Sequence, residues 1–323
     1  MKVLFITSSR LGDAVLSTGL LHHIVQNNPE AKITIGCGGL PKSLFDAVPG
    51  VMRVIAIEKK SMNRHWISFW KEVVGTRWDM VIDLRDSAVS RLVVAKHRYI
   101  FSSHIDKSRH KVEQNAQVMQ LENPPAPYLW HSEEQNKKAA GFIPDAKVKT
   151  LGIGPTANWI GKTWPAENYI ALIAKLTEQG GVMENARVAV FAAPGEEDMA
   201  YQVLNSVAED KQINVIAKAD PGTVAATIAR CDLYIGNDSG LMHCAAACGV
   251  PTVGLFGPSY PHLYSPWGDH CEMVKTAQSY DELIDFDGYH PSTLTHSLME
   301  SLSQDQVLAA VDRCWQKAKS RKS

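Results

Sequence analysis

Much that would point to a function is missing from this chain of 323 residues. No apolar run approaches the roughly 20 residues that span a bilayer as a helix. Six cysteines stand at positions 37, 231, 244, 248, 271 and 314, with no C-x-x-C pair and no disulfide-framework spacing. That usage argues for a reduced, cytoplasmic protein. Cys244 and Cys248 fall at helical spacing, but His243 would point elsewhere, so buried thiols explain them better than a metal site. Lys and Arg number 33 against 34 Asp and Glu, a balance that carries no overall nucleic-acid signature. H-E-x-x-H, G-x-S-x-G and P-loop patterns are absent, as are short repeats and low-complexity tracts. The first residues read directly as a strand rather than a signal peptide.

What is present is alternation. The length favours two domains, since single cores rarely outgrow roughly 250 to 300 residues. In the first half, Lys2 to Thr7, Lys32 to Gly36, Arg53 to Ile57, Asp79 to Leu84 and Arg98 to Ser102 read as strands. Helical periodicity runs from Ala14 through Val15, Leu16, Leu20, Leu21, Ile24 and Val25, and again from Asn63 to Gly75 with Trp66, Phe69 and Trp70. The pattern stops at Asn123-Pro124-Pro125-Ala126-Pro127, because three prolines continue neither a helix nor a central strand. A short polar helix and Pro144 complete this approach to a domain boundary. From Val148 the alternation restarts, with strands over 148–153, 187–192, 213–216, 232–236 and 251–256. Helices are expected from about 166, 196, 222 and 239. The reading is an α/β protein of two Rossmann-like domains with parallel sheets facing a central cleft. The boundaries are 1–147, 148–302 and a closing helix over 303–323.

Two strand-to-helix junctions stand out. In the first, Ser8-Ser9-Arg10-Leu11-Gly12-Asp13 puts Asp13 at a helix start beyond a strand's carboxyl end, where ligands and catalytic groups collect in α/β sheets. Capping of its own helix is the competing job, and a common one for Asp. In the second, the strand ending Gly236-Asn237-Asp238 runs at once into Ser239-Gly240-Leu241-Met242-His243 and a small-residue helix. Exposed N–H groups at Ser239, Gly240 and Leu241 would suit a pyrophosphate, against a plain N-cap by Asp238 or Ser239.

Three weaker signals accompany them. Gly152-Ile153-Gly154-Pro155-Thr156-Ala157 imitates G-x-G-x-x-A, but Pro155, Gly161 and Pro165 prevent the helix that such a fingerprint needs. Lys162, in Asn158 to Pro165, could neutralise phosphate charge or be an ordinary loop lysine, and Glu196 or Glu197 could accept ribose hydroxyls or merely complement a helix dipole. Asp285-Phe286-Asp287 resembles a metal-holding D-x-D but lies in a late loop-like stretch. Finally, twelve Lys/Arg stand against six Asp/Glu between Glu58 and Val112, interleaved with Trp66, Phe69, Trp70 and four histidines. An anionic acceptor at a membrane surface would suit that excess, with Arg64 and Arg85 there and Arg10 at the first junction as its contacts. The aromatic stripe by itself reads as core.

Arg10-Leu11-Gly12-Asp13, Lys162-Thr163-Trp164-Pro165, Asp238 to His243 and Gly249 to Ser259 together resemble glycosyltransferase family 9, which contains the ADP-heptose:lipopolysaccharide heptosyltransferases. The resemblance runs nearly end to end. It implies a GT-B architecture whose final helix returns to the first domain. It also implies an inverting, metal-independent transfer of a sugar, heptose from ADP-heptose, onto a lipopolysaccharide core acceptor. No cofactor, metal or nucleic acid enters, and peripheral contact with the cytoplasmic face of the inner membrane is compatible with such an acceptor. Asp13 is implied as general base, Lys162 as a phosphate or ribose contact, and Glu197 or Glu196 as the ribose contact. Asp238 would hold sugar hydroxyls, the backbone of Ser239, Gly240 and Leu241 the diphosphate, with Met242, His243 and Thr156 near the nucleotide. Donor groups at a helix start plus Lys162 would stabilise the leaving diphosphate, and general-base help is worth about 10²–10⁴-fold. A UDP- or GDP-sugar transferase of the same architecture, and a non-catalytic nucleotide-binding module, are the competing readings.

Overall fold

The computed structural model describes residues 1–59, 61, 64–144, 147–287, 289–290 and 293–322, and divides into two units, Met1–Glu133 and Glu134–Ser323. Asn63, where the second helix was expected to begin, lies outside the described residues.

The first unit runs β1 (Lys2–Ile6), α1 (Leu11–Asn27), β2 (Lys32–Cys37), β3 (Val51–Ala56), α2 (Arg64–Val73), β4 (Trp78–Asp83), α3 (Val89–Leu92), β5 (Ala95–Ile100) and α4 (Lys111–Val118). Its five strands are all parallel in the order β3-β2-β1-β4-β5. Val3, Leu4, Phe5 and Ile6 are fully buried, as a central parallel strand covered on both faces must be. The aromatic stripe of α2 is core as expected: Phe69 is buried, and Trp66 and Trp70 pack half-buried against the same cluster. The proline segment belongs to this unit rather than to a linker. Tyr128 N–H donates to the Thr18 hydroxyl at 3.0 Å, and a β-carbon at Gly19 would fall 2.1 Å from the Pro125 carbonyl oxygen. Gly19 is what lets that segment lie on α1.

The second unit runs α5 (Glu133–Phe142), β6 (Thr150–Gly154), α6 (Ala166–Thr177), β7 (Arg187–Val190), α7 (Glu197–Leu204), β8 (Gln212–Asn214), α8 (Pro221–Ile228), β9 (Leu233–Asn237), α9 (Gly240–Ala247), β10 (Thr252–Phe256), α10 (Pro261–Tyr264), β11 (Cys271–Lys275), α11 (Tyr280–Ile284) and α12 (Gln304–Lys322). Its six strands are parallel in the order β11-β10-β9-β6-β7-β8.

The domain boundary differs from the expectation. The boundary falls at 133/134 instead of 147/148. The cause is visible beyond α5, where the carbonyls of Ile143 and Pro144 accept hydrogen bonds from Arg230 and Arg187 of the second unit. Within the second unit the closing helix α12 packs on β10, β11 and α6. Its Val307, Ala310, Val311 and Cys314 are fully buried in the second unit's core.

Candidate functional sites

In each sheet the chain leaves the middle strand first toward one edge and later toward the other. The reversal falls between β1 and β4 in the first unit and between β6 and β9 in the second. At such a switch point the loops beyond the two strands part and leave a crevice at the carboxyl edge. Both junctions singled out in the sequence lie at these points.

In the first unit, α1 begins two residues before Asp13, and its N-cap is Arg10, whose side chain makes no capping bond. Capping is therefore not the job of Asp13. The residue sits in the first helical turn, half-buried, and its carboxylate accepts no hydrogen bond among the described residues. Ile6 pairs with Asp83, so the loop after β4 lies beside this junction. Asp83 is fully buried and accepts bonds from the Arg85 and Ser87 N–H groups and the Ser87 hydroxyl, which fixes that loop's turn. Arg85 is exposed, its guanidinium 5.6 Å from the Trp66 ring centroid. Arg64 opens α2, and Arg10 and Arg64 are both exposed. The sheet's carboxyl edge thus carries the exposed cations Arg10, Arg64 and Arg85 as well as Asp13. Lys111, at the start of α4, was not singled out in the sequence, yet it is electrostatically coupled to Asp13. A larger cleft of about 520 Å³ lies beside β5 and α4, but its Arg98 guanidinium is engaged by the carbonyls of Ser90, Val93 and Ala95.

In the second unit, the loop after β6 carries Thr156 and Lys162 and the loop after β9 carries Asp238. Lys162 Nζ donates to Asp238 Oδ2 at 2.8 Å, joining the two sides of the switch point. Thr156 Oγ1 donates to Glu196 Oε2 at 2.6 Å, and Glu197 Oε2 accepts from the Gly195 N–H at 2.8 Å. Both glutamates line a cleft of about 360 Å³ with Thr156, Trp159, Ile160 and Met199. The Trp159 ring meets Tyr289 edge-on, a wall that the sequence reading missed. α9 opens at Ser239, which makes no capping bond, and the Ser239 hydroxyl is buried without a hydrogen-bond partner among the described residues. The first N–H groups of any helix lack intrahelical acceptors, so Gly240 and Leu241 present theirs at this edge. Met242 does not line the site: it is fully buried, and its sulfur lies 2.5 Å from where a β-carbon on Gly254 of β10 would be. His243 is buried one residue further on.

The loops are held from behind. Asn237, which the sequence reading gave no separate role, is fully buried, its side-chain oxygen accepting from the Trp164 N–H and the Tyr169 hydroxyl, both at 3.0 Å. Its side-chain nitrogen donates to the Pro155 carbonyl oxygen at 2.7 Å. Trp164 is fully buried against Tyr169 and donates to the Leu302 carbonyl oxygen at 2.9 Å. The Ser297 hydroxyl donates to the Thr163 carbonyl oxygen at 2.7 Å, and the Leu298 N–H to that of Gly161. Lys162 therefore stands on a turn anchored at both ends. The glycines that imitated a dinucleotide fingerprint have another cause. A β-carbon at Gly154 would come 2.0 Å from the Tyr234 hydroxyl, so β6 is glycine-bearing to seat that ring.

Two all-parallel α/β units are the make-up of the GT-B fold class, and solved structures agree on that fold. A glycosyltransferase family 9 structure from Veillonella parvula superposes with a TM-score of 0.78 at 23% identity, covering 98% of this chain and 97% of that one. The Escherichia coli ADP-heptose LPS heptosyltransferase II gives 0.74 at 21% identity, over 99% and 100%. Residues 66–286 match the model of glycosyltransferase family 9 (heptosyltransferase), and the chain belongs to that family. Among its relatives is lipooligosaccharide heptosyltransferase 2 of Campylobacter jejuni, 26% identical over 299 residues and covering 85% of this chain and 86% of that protein.

Proposed function

We propose that this glycosyltransferase moves heptose from ADP-heptose onto a lipopolysaccharide core acceptor, with inversion and without a metal. The observation that carries the reading is the Lys162–Asp238 pair at the switch point of the second unit, beside the open N-terminus of α9. Binding of the nucleotide sugar would part this pair. Lys162 and the backbone N–H groups of Gly240 and Leu241 then take the diphosphate, and Asp238 turns to sugar hydroxyls. Thr156, Glu196 and Glu197 address the ribose, and the apolar wall of Trp159, Ile160 and Met199 suits a purine. As the glycosidic bond breaks, negative charge grows on the leaving ADP. Fixed donors act most strongly on that growing charge, which lowers the barrier to transfer rather than merely tightening binding.

On the acceptor side, Asp13 takes the proton from the attacking hydroxyl. Proton transfer falls late in an oxocarbenium-like transition state, when the attacking hydroxyl has become acidic. Arg10, Arg64 and Arg85 meet the acceptor's anionic groups, and contact with an anionic membrane surface follows from the same charge. The test is thermal denaturation with ADP, UDP and GDP. A ligand at 100 times its dissociation constant stabilises the fold by about 2.7 kcal/mol. ADP should raise Tm most, and a rise with UDP alone contradicts the donor assignment.

A further inference from the structure

The loop that leaves β6 begins at Pro155, carries Thr156 and Lys162, and ends at Trp164 ahead of α6. Both of its ends are bound to one side chain. Asn237, the last residue of β9, donates from Nδ2 to the Pro155 carbonyl oxygen at 2.7 Å. Its Oδ1 accepts from the Trp164 N–H and from the Tyr169 hydroxyl, both at 3.0 Å. The cause lies in the strand pair. β6 and β9 stay in register as far as Gly154 and Gly236, and the next residue of β6 is a proline, which has no N–H to continue the ladder. The Asn237 amide takes over where the main chain stops.

That amide fits only one way round. The Trp164 N–H only donates and must face the oxygen, while the Pro155 carbonyl only accepts and must face the nitrogen. Tyr169 is then obliged to donate. Asn237, Trp164 and Tyr169 are all fully buried, and a satisfied buried network of this kind rigidifies its parts. Between the two held ends, a single 3₁₀ turn over Ile160–Lys162 presents the Lys162 ammonium to Asp238, the residue after Asn237. Thr156, next to Pro155, reaches Glu196.

We propose that Asn237 is the positioning residue of the nucleotide-sugar site: its side-chain amide clamps both ends of the loop after β6 and so sets Lys162 and Thr156 where the diphosphate and ribose meet them. This rests on the nucleotide-sugar site proposed above. The clamp needs an acceptor and a donor side by side on one rigid group, which the planar amide supplies. N237D keeps the shape and the acceptor end in either charge state, but keeps the donor end only while its carboxyl is protonated. Ionised, it sets acceptor against acceptor at the buried Pro155 carbonyl, an arrangement that costs heavily.

N237D is therefore a chain whose clamp closes in acid and opens in base. ADP affinity is measured by calorimetry for wild type, N237D and Y169F at pH 5.5 and pH 8.5, at a temperature below every Tm. Relative to wild type at the same pH, N237D binds ADP within about twofold at pH 5.5 and about 10-fold or more weakly at pH 8.5. Y169F removes a bond to the same oxygen but leaves both loop ends attached, so it lowers Tm and keeps ADP affinity within about twofold. Tyr234, Asp238, Lys162, Tyr169, Glu196 and His243, on the elements around the amide, titrate in wild type and N237D alike, so the ratio between the two chains isolates the new carboxyl. An N237D penalty equal at the two pH values, or a Y169F loss as large as that of N237D at pH 8.5, overturns the positioning role. The clamp itself is judged without nucleotide. The buried carboxyl holds its proton more tightly than the unfolded one, which releases it near pH 4, so the Tm deficit of N237D widens as pH rises from about there. A constant deficit overturns the clamp. A wild type that does not bind ADP instead defeats the functional reading and leaves the Tm series to judge the amide.

Discussion

At the scale of single residues, the account depends on a few charges whose surroundings are unlike. Asp13 stands in the first turn of α1 without a capping duty, and its carboxylate accepts no hydrogen bond among the described residues, so it is available. D13N should therefore lose at least about 10²-fold in kcat, the general-base contribution, while calorimetric binding of ADP-heptose stays within a factor of two or so of wild type. A D13N enzyme turning over near the wild-type rate removes Asp13 from the chemistry. Lys162 is different because it is already paired, with Asp238 at 2.8 Å. Its replacement by Met removes a charge-assisted bond to the diphosphate and leaves a buried carboxylate uncompensated. The loss expected in ADP affinity is about 10- to 100-fold, from roughly 1.5–3 kcal/mol. Unaltered ADP binding in K162M would take the lysine out of the donor site.

Among the elements, the glycine-bearing strand β6 gives a sharp stability test. A methyl at Gly154 would sit 2.0 Å from the Tyr234 hydroxyl, while the next ring atom is 3.0 Å away. G154A should therefore be destabilised, and Y234F should recover part of the loss, a coupling readable in a denaturant double-mutant cycle. Strict additivity would show that the hydroxyl is not what excludes the side chain. Trp164, fully buried beneath the Lys162 turn, should cost about 3–5 kcal/mol when cut to Ala and weaken ADP binding with it. These elements also show what the sequence could and could not convey. Central strands such as β1, β9 and β10 were readable because burial on both faces makes them continuous apolar runs. β11 was not, because Cys271-Glu272-Met273-Val274-Lys275 is an edge strand of five residues broken by two charges, Glu272 and Lys275. α4 escaped notice because its buried face includes Gln114 and Asn115, which no hydrophobic period reveals. Lys111 went with it. Asp13, Lys162 and Asp238 were picked out by their places at strand ends and by the family's motifs, with capping or an ordinary loop role left as the competing local reading. The Lys162–Asp238 pair was not, since 76 residues separate the partners.

Over the whole molecule, titration links the fold to pH. Burial lowers the pKa of His22, His131 and His270 below the ordinary 6.5. A group with a depressed folded-state pKa binds protons more readily when unfolded, so its contribution is intact above about 6.5 and is lost as pH falls below it. Tm should thus drop between pH 7 and pH 5.5, and an H270Q variant should lose part of that dependence; a flat Tm over this range contradicts the assignment. Burial likewise pushes the thiols of Cys37, Cys244 and Cys314 up to about 12, so these cysteines should resist Ellman's reagent at pH 8 until the chain unfolds. No helix among the described residues is long and apolar enough to cross a membrane. The central claim concerns transfer, and one assay reaches it most directly. The full chain is incubated with ADP-heptose and a lipopolysaccharide core lacking its outer heptoses, with chelator present, and the acceptor is followed by mass spectrometry. The account predicts a core heavier by one heptose, an equivalent of released ADP, an inverted anomeric centre by NMR, and no product from D13N. Transfer from a UDP- or GDP-sugar in place of ADP-heptose, or ADP release with no change in the acceptor's mass, would contradict it.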